Sequence, residues 1–175
     1  MTTVIHPWLA EMQRLRARTG EPGLANPGHA AALGGLALLQ AMIRGEVPDP
    51  PIARTLDFFL LEVERGRAVF QGQPQFAHYN PIGSVHGGWH ATLLDSAMAC
   101  AVHTLVEPGA AYTTLEFKVH CVRPLTEKAG PVRAEGKVVA SGKRTATAEG
   151  RLVDAEGRLY SHGTTTCLFL EASAS

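Results

Sequence analysis

Apolar and polar positions alternate along the second half of the chain and recur at helical spacing along the first. Residues 6 to 18 carry Trp8, Leu9, Met12 and Leu15 at intervals of three and four, the period of a helix with one apolar face. A second helix is expected from Gly28 to Arg44, through the run Ala30 to Leu39. Pro48, Pro50 and Pro51 then end it. From Thr55 the period changes to two. Two short strands are expected between about Leu56 and His78. The clearest alternation follows at Thr113, Leu115, Phe117, Val119 and Cys121 on one face, against Thr114, Glu116, Lys118 and His120 on the other. Val132, Ala134, Gly136, Val138 and Ala140 then alternate with Arg133, Glu135 and Lys137. Two more strands run from Arg144 to Val153 and from Leu159 to Leu170, joined by turn signals into an antiparallel meander.

One segment breaks the strand pattern. From about His90 to Val106 the chain is apolar on nearly every side, so it belongs in the middle of the molecule. The faces meant to cover it are rich in Ala, Gly and Thr, which allow close approach. The expected architecture is α+β, an antiparallel sheet wrapped around one central helix. Residues 1–54 read as an N-terminal helical extension, 55–171 as the main domain and 172–175 as a small flexible tail.

Composition narrows the function classes. Sixteen basic and sixteen acidic residues, with no basic cluster, leave no footprint for nucleic acid or an anionic membrane. Three widely spaced cysteines, Cys100, Cys121 and Cys167, sit in apolar runs and suit free thiols in a reducing cytoplasm. The first residues lack the basic start and apolar core of a secretory signal, and the longest apolar stretch contains Asp95 and His103 and falls short of a bilayer span.

The candidate chemistry lies between Asn80 and Asp95. His86-Gly87-Gly88 precedes the central helix, where uncovered backbone N–H groups at the positive end of the dipole can hold an anion or a polarised carbonyl oxygen. Asp95 is the one charge on that helix, and a carboxylate there is costly unless paired or reactive. It could merely bond Ser96 or a neighbouring hydroxyl. Eight residues separate Gly87 from Asp95, roughly 12 Å along the axis and about 800° of rotation, so the two cannot act on one atom within one chain. If both act, a second copy supplies one of them. The expected assembly pairs two such helices antiparallel, with Ala91, Ala97, Ala99 and Ala101 small enough for a close approach, although these also suit packing on the sheet.

His86 and His90 stand four apart, but Gly87 replaces the general-base glutamate of a zinc-protease helix and no third ligand is evident, so no metal and no organic cofactor is expected. Ser84 does not match a Gly-x-Ser-x-Gly elbow. Lys143 and Arg144, after the Ser141-Gly142 turn, and Arg123 before Pro124 are candidates for binding phosphates, although basic residues at strand ends are often simply solvated.

Asn80, then His86-Gly87-Gly88, then Asp95, then the strand Thr114-Leu115-Glu116-Phe117-Lys118-Val119 closing at Arg123-Pro124 resembles the hotdog-fold thioesterases of the phenylacetate-pathway, or PaaI-like, group. The resemblance covers roughly residues 55 to 170. It implies hydrolysis of acyl-CoA thioesters in dimers commonly paired into tetramers. By position it implies Asp95 as general base or nucleophile, the Gly87 amide as the donor that polarises the thioester carbonyl, His86 beside it and Asn80 at the substrate or its water. Thr114 would hold the attacking water, which conflicts with its place on the polar face of the strand. Gly88, Arg123, Lys143 and Arg144 would contact substrate. A non-catalytic acyl-CoA binding module and a hotdog dehydratase acting on hydroxyacyl thioesters share the fold and stay open.

Overall fold

The computed structural model describes residues 7–18 and 20–170. The tail at 172–175 and the start of the first helix at His6 lie outside these residues. Three helices precede the sheet: α1 (Pro7–Arg18), α2 (Pro27–Ile43) and α3 (Pro51–Leu56). The strands are β1 (Phe58–Glu64), β2 (Arg67–Gly72), β3 (Ala111–Cys121), β4 (Val132–Ser141), β5 (Thr145–Asp154) and β6 (Leu159–Leu170), with α4 (Gly87–His103) between β2 and β3. They form one six-stranded sheet in the order β1-β2-β4-β5-β6-β3, antiparallel at every pairing.

Helix α3 is not among the elements that the sequence pattern predicts. The prolines at 48 to 51 stop α2, but Pro51 also stands in the first turn of a new helix, where its fixed φ and missing N–H cost nothing. Helix α2 begins the same way: the Asn26 side chain accepts from the Gly28 and His29 amides at 3.1 and 3.2 Å, with Pro27 as the first helical residue. It kinks at Gly34, whose φ of 67° few other residues tolerate.

Helix α4 is the core. Leu93, Leu94, Ala97, Met98, Ala101 and Val102 are all fully buried against the concave face of the sheet. The small residues of that face are there because the helix is so near. A Cβ on Gly136 would sit 2.3 Å from the Ala97 carbonyl oxygen, and one on Gly150 would sit 2.8 Å from Met98. The alanines of α4 divide: Ala97 and Ala101 are inside against the sheet, Ala99 lies within the stripe of Thr92, Asp95, Ser96, Cys100 and His103 although it is itself buried, and Ala91 stands at the edge of that stripe.

Helix α1 covers the opposite face of the sheet. Gly72 meets Leu93 and Trp89 of α4, so its neighbour Gln71 points the other way. There Gln71 donates to the Trp8 carbonyl at 2.8 Å, Arg133 lies 4.1 Å over the Trp8 ring and donates to Glu11 at 2.8 Å, and Met12 and Leu15 bury against Phe59. Strand β2 is thus buried on both faces.

Two strand expectations need correction. In β4 a bulge between Val138 and Ala140 breaks the alternation, leaving Val139 and Ala140 exposed. In β3 the register slips between Thr114 and Glu116, so Leu115 is an extra residue. Tyr112 and Val119 both pack on the core although they stand an odd number of positions apart, which a regular strand could not allow. Thr114 consequently shares the inward face with Tyr112 before the bulge and with Val119 after it.

Gly136→Ala should destabilise the fold by about 2 kcal/mol or more, because backbone and not a movable side chain occupies the space. Urea denaturation measures it; an unchanged midpoint would show that α4 can withdraw from the sheet at no cost.

Candidate active site

The N-terminus of α4 is built by local bonds. His86 is the cap, with extended backbone (φ −61°, ψ 137°), and its Nδ1 accepts from the Gly88 amide at 2.9 Å. Its carbonyl accepts from the Trp89 amide, also at 2.9 Å. Gly88 is glycine for a local reason: a Cβ there would lie 3.0 Å from the His86 ring nitrogen. This leaves the Gly87 amide, exposed and without a bonded partner among the described residues, as the free donor of the first turn.

Asn80 shapes the loop that leads into the helix. Its Oδ1 accepts from the Ile82 and Ser84 amides at 3.0 and 3.2 Å, and its Nδ2 donates to Ser84 Oγ at 3.0 Å. Asn80 and Gly87 meet in a surface cavity of about 320 Å³ that also includes His90, Cys121 and Arg123. Asp95 is not among its walls.

Asp95 lies two turns further along α4, half-buried beside β3. Thr114 Oγ1 donates to its Oδ1 at 3.4 Å, a long hydrogen bond that exists because the bulge turns Thr114 inward. Burial pushes the Asp95 carboxyl above its ordinary range, and the Thr114 hydroxyl partly offsets this by stabilising the charged form. The surroundings are apolar or weakly polar. Cys100 is pushed up to about 12 by burial first and by the Asp95 charge second. Tyr112 and Cys167 are raised in the same way, with burial the larger cause. A carboxylate in such a place is a better proton acceptor than an exposed one, as a general base for water requires.

A family model described as "Thioesterase superfamily" matches residues 82–161. A protein of Saccharolobus solfataricus named as an esterase is 30% identical over 62% of this chain and 75% of its own length. The chain belongs to the thioesterase superfamily. The 1,4-dihydroxy-2-naphthoyl-CoA hydrolase of Listeria monocytogenes is 26% identical, over 62% of this chain and 86% of that protein. Among solved structures, a phenylacetic acid degradation-related protein of Ralstonia eutropha is 29% identical with a TM-score of 0.68, covering 75% of this chain and 98% of that one. A variant of the phenylacetic acid degradation protein PaaI of Thermus thermophilus is 31% identical with a TM-score of 0.62, covering 67% and 97%. The wrapped helix is the hotdog fold, and the neighbours are PaaI-like thioesterases. Relatives of this kind support a thioester hydrolase in general.

Within this member of the thioesterase superfamily the residues singled out from sequence fall into three places. Asn80, His86, Gly87, Gly88 and Arg123 gather at the N-terminal end of α4, with Arg123 Nε donating to the Leu159 carbonyl at 3.3 Å. Asp95 and Thr114 pair at its middle. Lys143 and Arg144 lie in the exposed β4–β5 turn, beside a cavity formed with Leu105 and Val106 just beyond the other end of α4. They do not meet Arg123 within one chain.

His90 stands out in the sequence only as a metal candidate. It is fully buried, its Nδ1 lies 3.1 Å from Ser161 Oγ, and burial lowers its pKa to about 4, so it is a neutral imidazole beside Gly87. The spacing from Gly87 to His90, about one helical turn, is the signal that places it there. The residues around Asp95 come from three elements, and no local spacing could assemble them.

The sign of the Asp95 shift makes two expectations. An activity that needs the ionised carboxylate should have an acid limb above the ordinary carboxylate range, and Thr114→Val should move it to higher pH by removing a bond that favours the charge. The raised pKa also means that ionised Asp95 contributes no stability at neutral pH: its contribution is present at low pH and is lost as pH rises through the folded-state pKa. Asp95→Asn should therefore keep or raise Tm at pH 7 in thermal melts. An acid limb that moves to lower pH in Thr114→Val, or a marked loss of Tm in Asp95→Asn, contradicts a carboxylate held against the cost of burial.

Proposed function

We propose that the protein hydrolyses acyl-CoA thioesters to the free acid and CoA, in sites shared by two copies of the chain. Asp95, held by Thr114, takes the proton of a water whose oxygen attacks the thioester carbonyl carbon, or attacks that carbon itself as nucleophile to give a mixed anhydride, which a water then cleaves to free acid and Asp95 carboxylate. The Gly87 amide of the other copy donates to the carbonyl oxygen as negative charge develops on it. The C–S bond then breaks and the departing sulfur takes up a proton. The chemistry calls for no metal or organic cofactor. Support for CoA as carrier comes from the Listeria relative, and from Arg123 at the cavity that includes Gly87.

The observation that carries the reading is the division of the site along α4: an unpartnered amide at one end and a half-buried carboxylate two turns away. Support for a second copy comes from β3. It is an edge strand with Leu115 55% and Phe117 43% exposed, next to the half-buried stripe of α4. Such an edge invites another strand, and an antiparallel arrangement would place each Asp95 toward the partner's Gly87. Association of two dimers into a tetramer is part of the same reading. Among the described residues no helix is long and apolar enough to cross a membrane, and the cysteines there are free thiols, which suits the cytoplasm.

Gly87→Pro tests the amide with little damage. Proline is favoured at the first helical position, the preceding His86 already has extended backbone, and the nearest atom to an added Cβ is Cys121 Sγ at 3.8 Å. In a thiol-release assay over a panel of acyl-CoAs, this variant should lose about 100-fold or more in kcat while remaining folded. Asp95→Asn should abolish turnover. Full thiol release by Asp95→Asn overturns the assignment; water elimination from a 3-hydroxyacyl thioester without free CoA replaces it with the dehydratase, and tight binding of CoA esters without thiol release replaces it with the binding module.

A further inference from the structure

Two cavities flank the N-terminus of α4, and they differ in kind. The one that includes Gly87 has the guanidinium of Arg123 and the amide of Asn80 among its walls. The other, of about 400 Å³, has Leu56, Ala77, His78, Tyr79, Trp89 and Thr92 as walls and no formally charged side chain apart from its histidines. His86 and Gly88 border this second cavity, so it opens beside the same first turn of helix. A thioester whose carbonyl oxygen sits at the Gly87 amide has two arms to place: a phosphate-bearing one and an uncharged one. The cavities match that difference.

The walls of this second cavity are also tied to one another. Trp89 Nε1 donates to the Leu56 carbonyl at 2.9 Å, which ties the indole to the last residue of α3. The Trp89 ring stacks on His78, with centroids 5.6 Å apart and planes 26° apart. His78 is fixed in turn, because its Nδ1 accepts from the Gln75 amide at 3.1 Å, and burial favours the uncharged imidazole. Leu56 is half-buried and belongs to a helix that the family match at 82–161 does not include.

We propose that this cavity receives the acyl arm, and that Leu56 of helix α3, with Trp89 tied to its carbonyl, sets an upper limit on acyl size. The substrate class is a compact uncharged acyl group, a short chain or a single ring, in preference to a long chain. The inference rests on the thioesterase reading. It makes the N-terminal helices a determinant of specificity through one backbone hydrogen bond and one side chain.

The test is kcat/KM for acetyl-, butanoyl-, benzoyl-, octanoyl- and dodecanoyl-CoA with the full chain and with Leu56→Ala and Leu56→Phe. The wild type should favour the first three. Leu56→Ala should raise the dodecanoyl-to-acetyl ratio by about tenfold, the scale on which apolar pockets discriminate, and Leu56→Phe should lower the benzoyl-to-acetyl ratio. The two variants push in opposite directions, so either one, if folded by its thermal melt, decides. A common factor across all five substrates in a folded variant, or a wild type that prefers dodecanoyl-CoA, overturns the assignment of this cavity while leaving the thioesterase intact. A wild type that releases thiol from none of the five overturns the thioesterase reading, and this assignment with it.

Discussion

The close contact between α4 and the sheet is the constraint on which the rest depends. With the Ala97 carbonyl occupying the space a Cβ on Gly136 would need, the helix has one depth at which it can lie. That depth buries Leu93, Leu94, Met98 and Val102 completely and leaves a single half-buried stripe, from Ala91 to His103, alongside the edge strand β3. Asp95 is on that stripe. The same placement sets the helix N-terminus among the Asn80 loop, Cys121 and Trp89, where its first turn borders both cavities. Packing and chemistry are thus two consequences of one fit.

Asp95 shows the cost of the arrangement. Burial disfavours its charge, a long bond from Thr114 returns part of the loss, and two thiols and a phenol surround it without compensating it. A fold selected for stability alone would have an apolar residue there. Trading stability for a poised carboxylate is common where a group performs chemistry. On the proposed mechanism, the position of the Gly87 amide, on the same helix but two turns away, makes the single chain half of a reacting site.

Much of this is legible in the order of residues alone. The all-round apolar helix and the small residues of β4 and β5 imply a wrapped helix, because only burial satisfies the one and only close approach explains the other. The turn at His86-Gly87-Gly88 and the charge at Asp95 follow from local spacing on that helix. What stays hidden depends on events that spacing does not encode. One extra residue at Leu115 reverses the facing of Thr114, which a strict period of two puts on the wrong side. Pro51 reads as a stop, yet it also starts α3, and through α3 comes Leu56, the tie to Trp89. The separation of Lys143 and Arg144 from Arg123 is set by strand order, which their places in the chain do not reveal.

The central claim is that one chain's amide and another chain's carboxylate complete each site, and complementation between two dead variants tests it most directly. Asp95→Asn and Gly87→Pro chains, distinguished by different tags and produced together, should form mixed dimers in which one site carries both defects and the other carries neither. With random pairing, about a quarter of the wild-type specific activity should return, and purification through both tags should raise this to about half. If mixed dimers form and remain as inactive as their parents, the site does not cross between chains, and the shared-site mechanism is wrong.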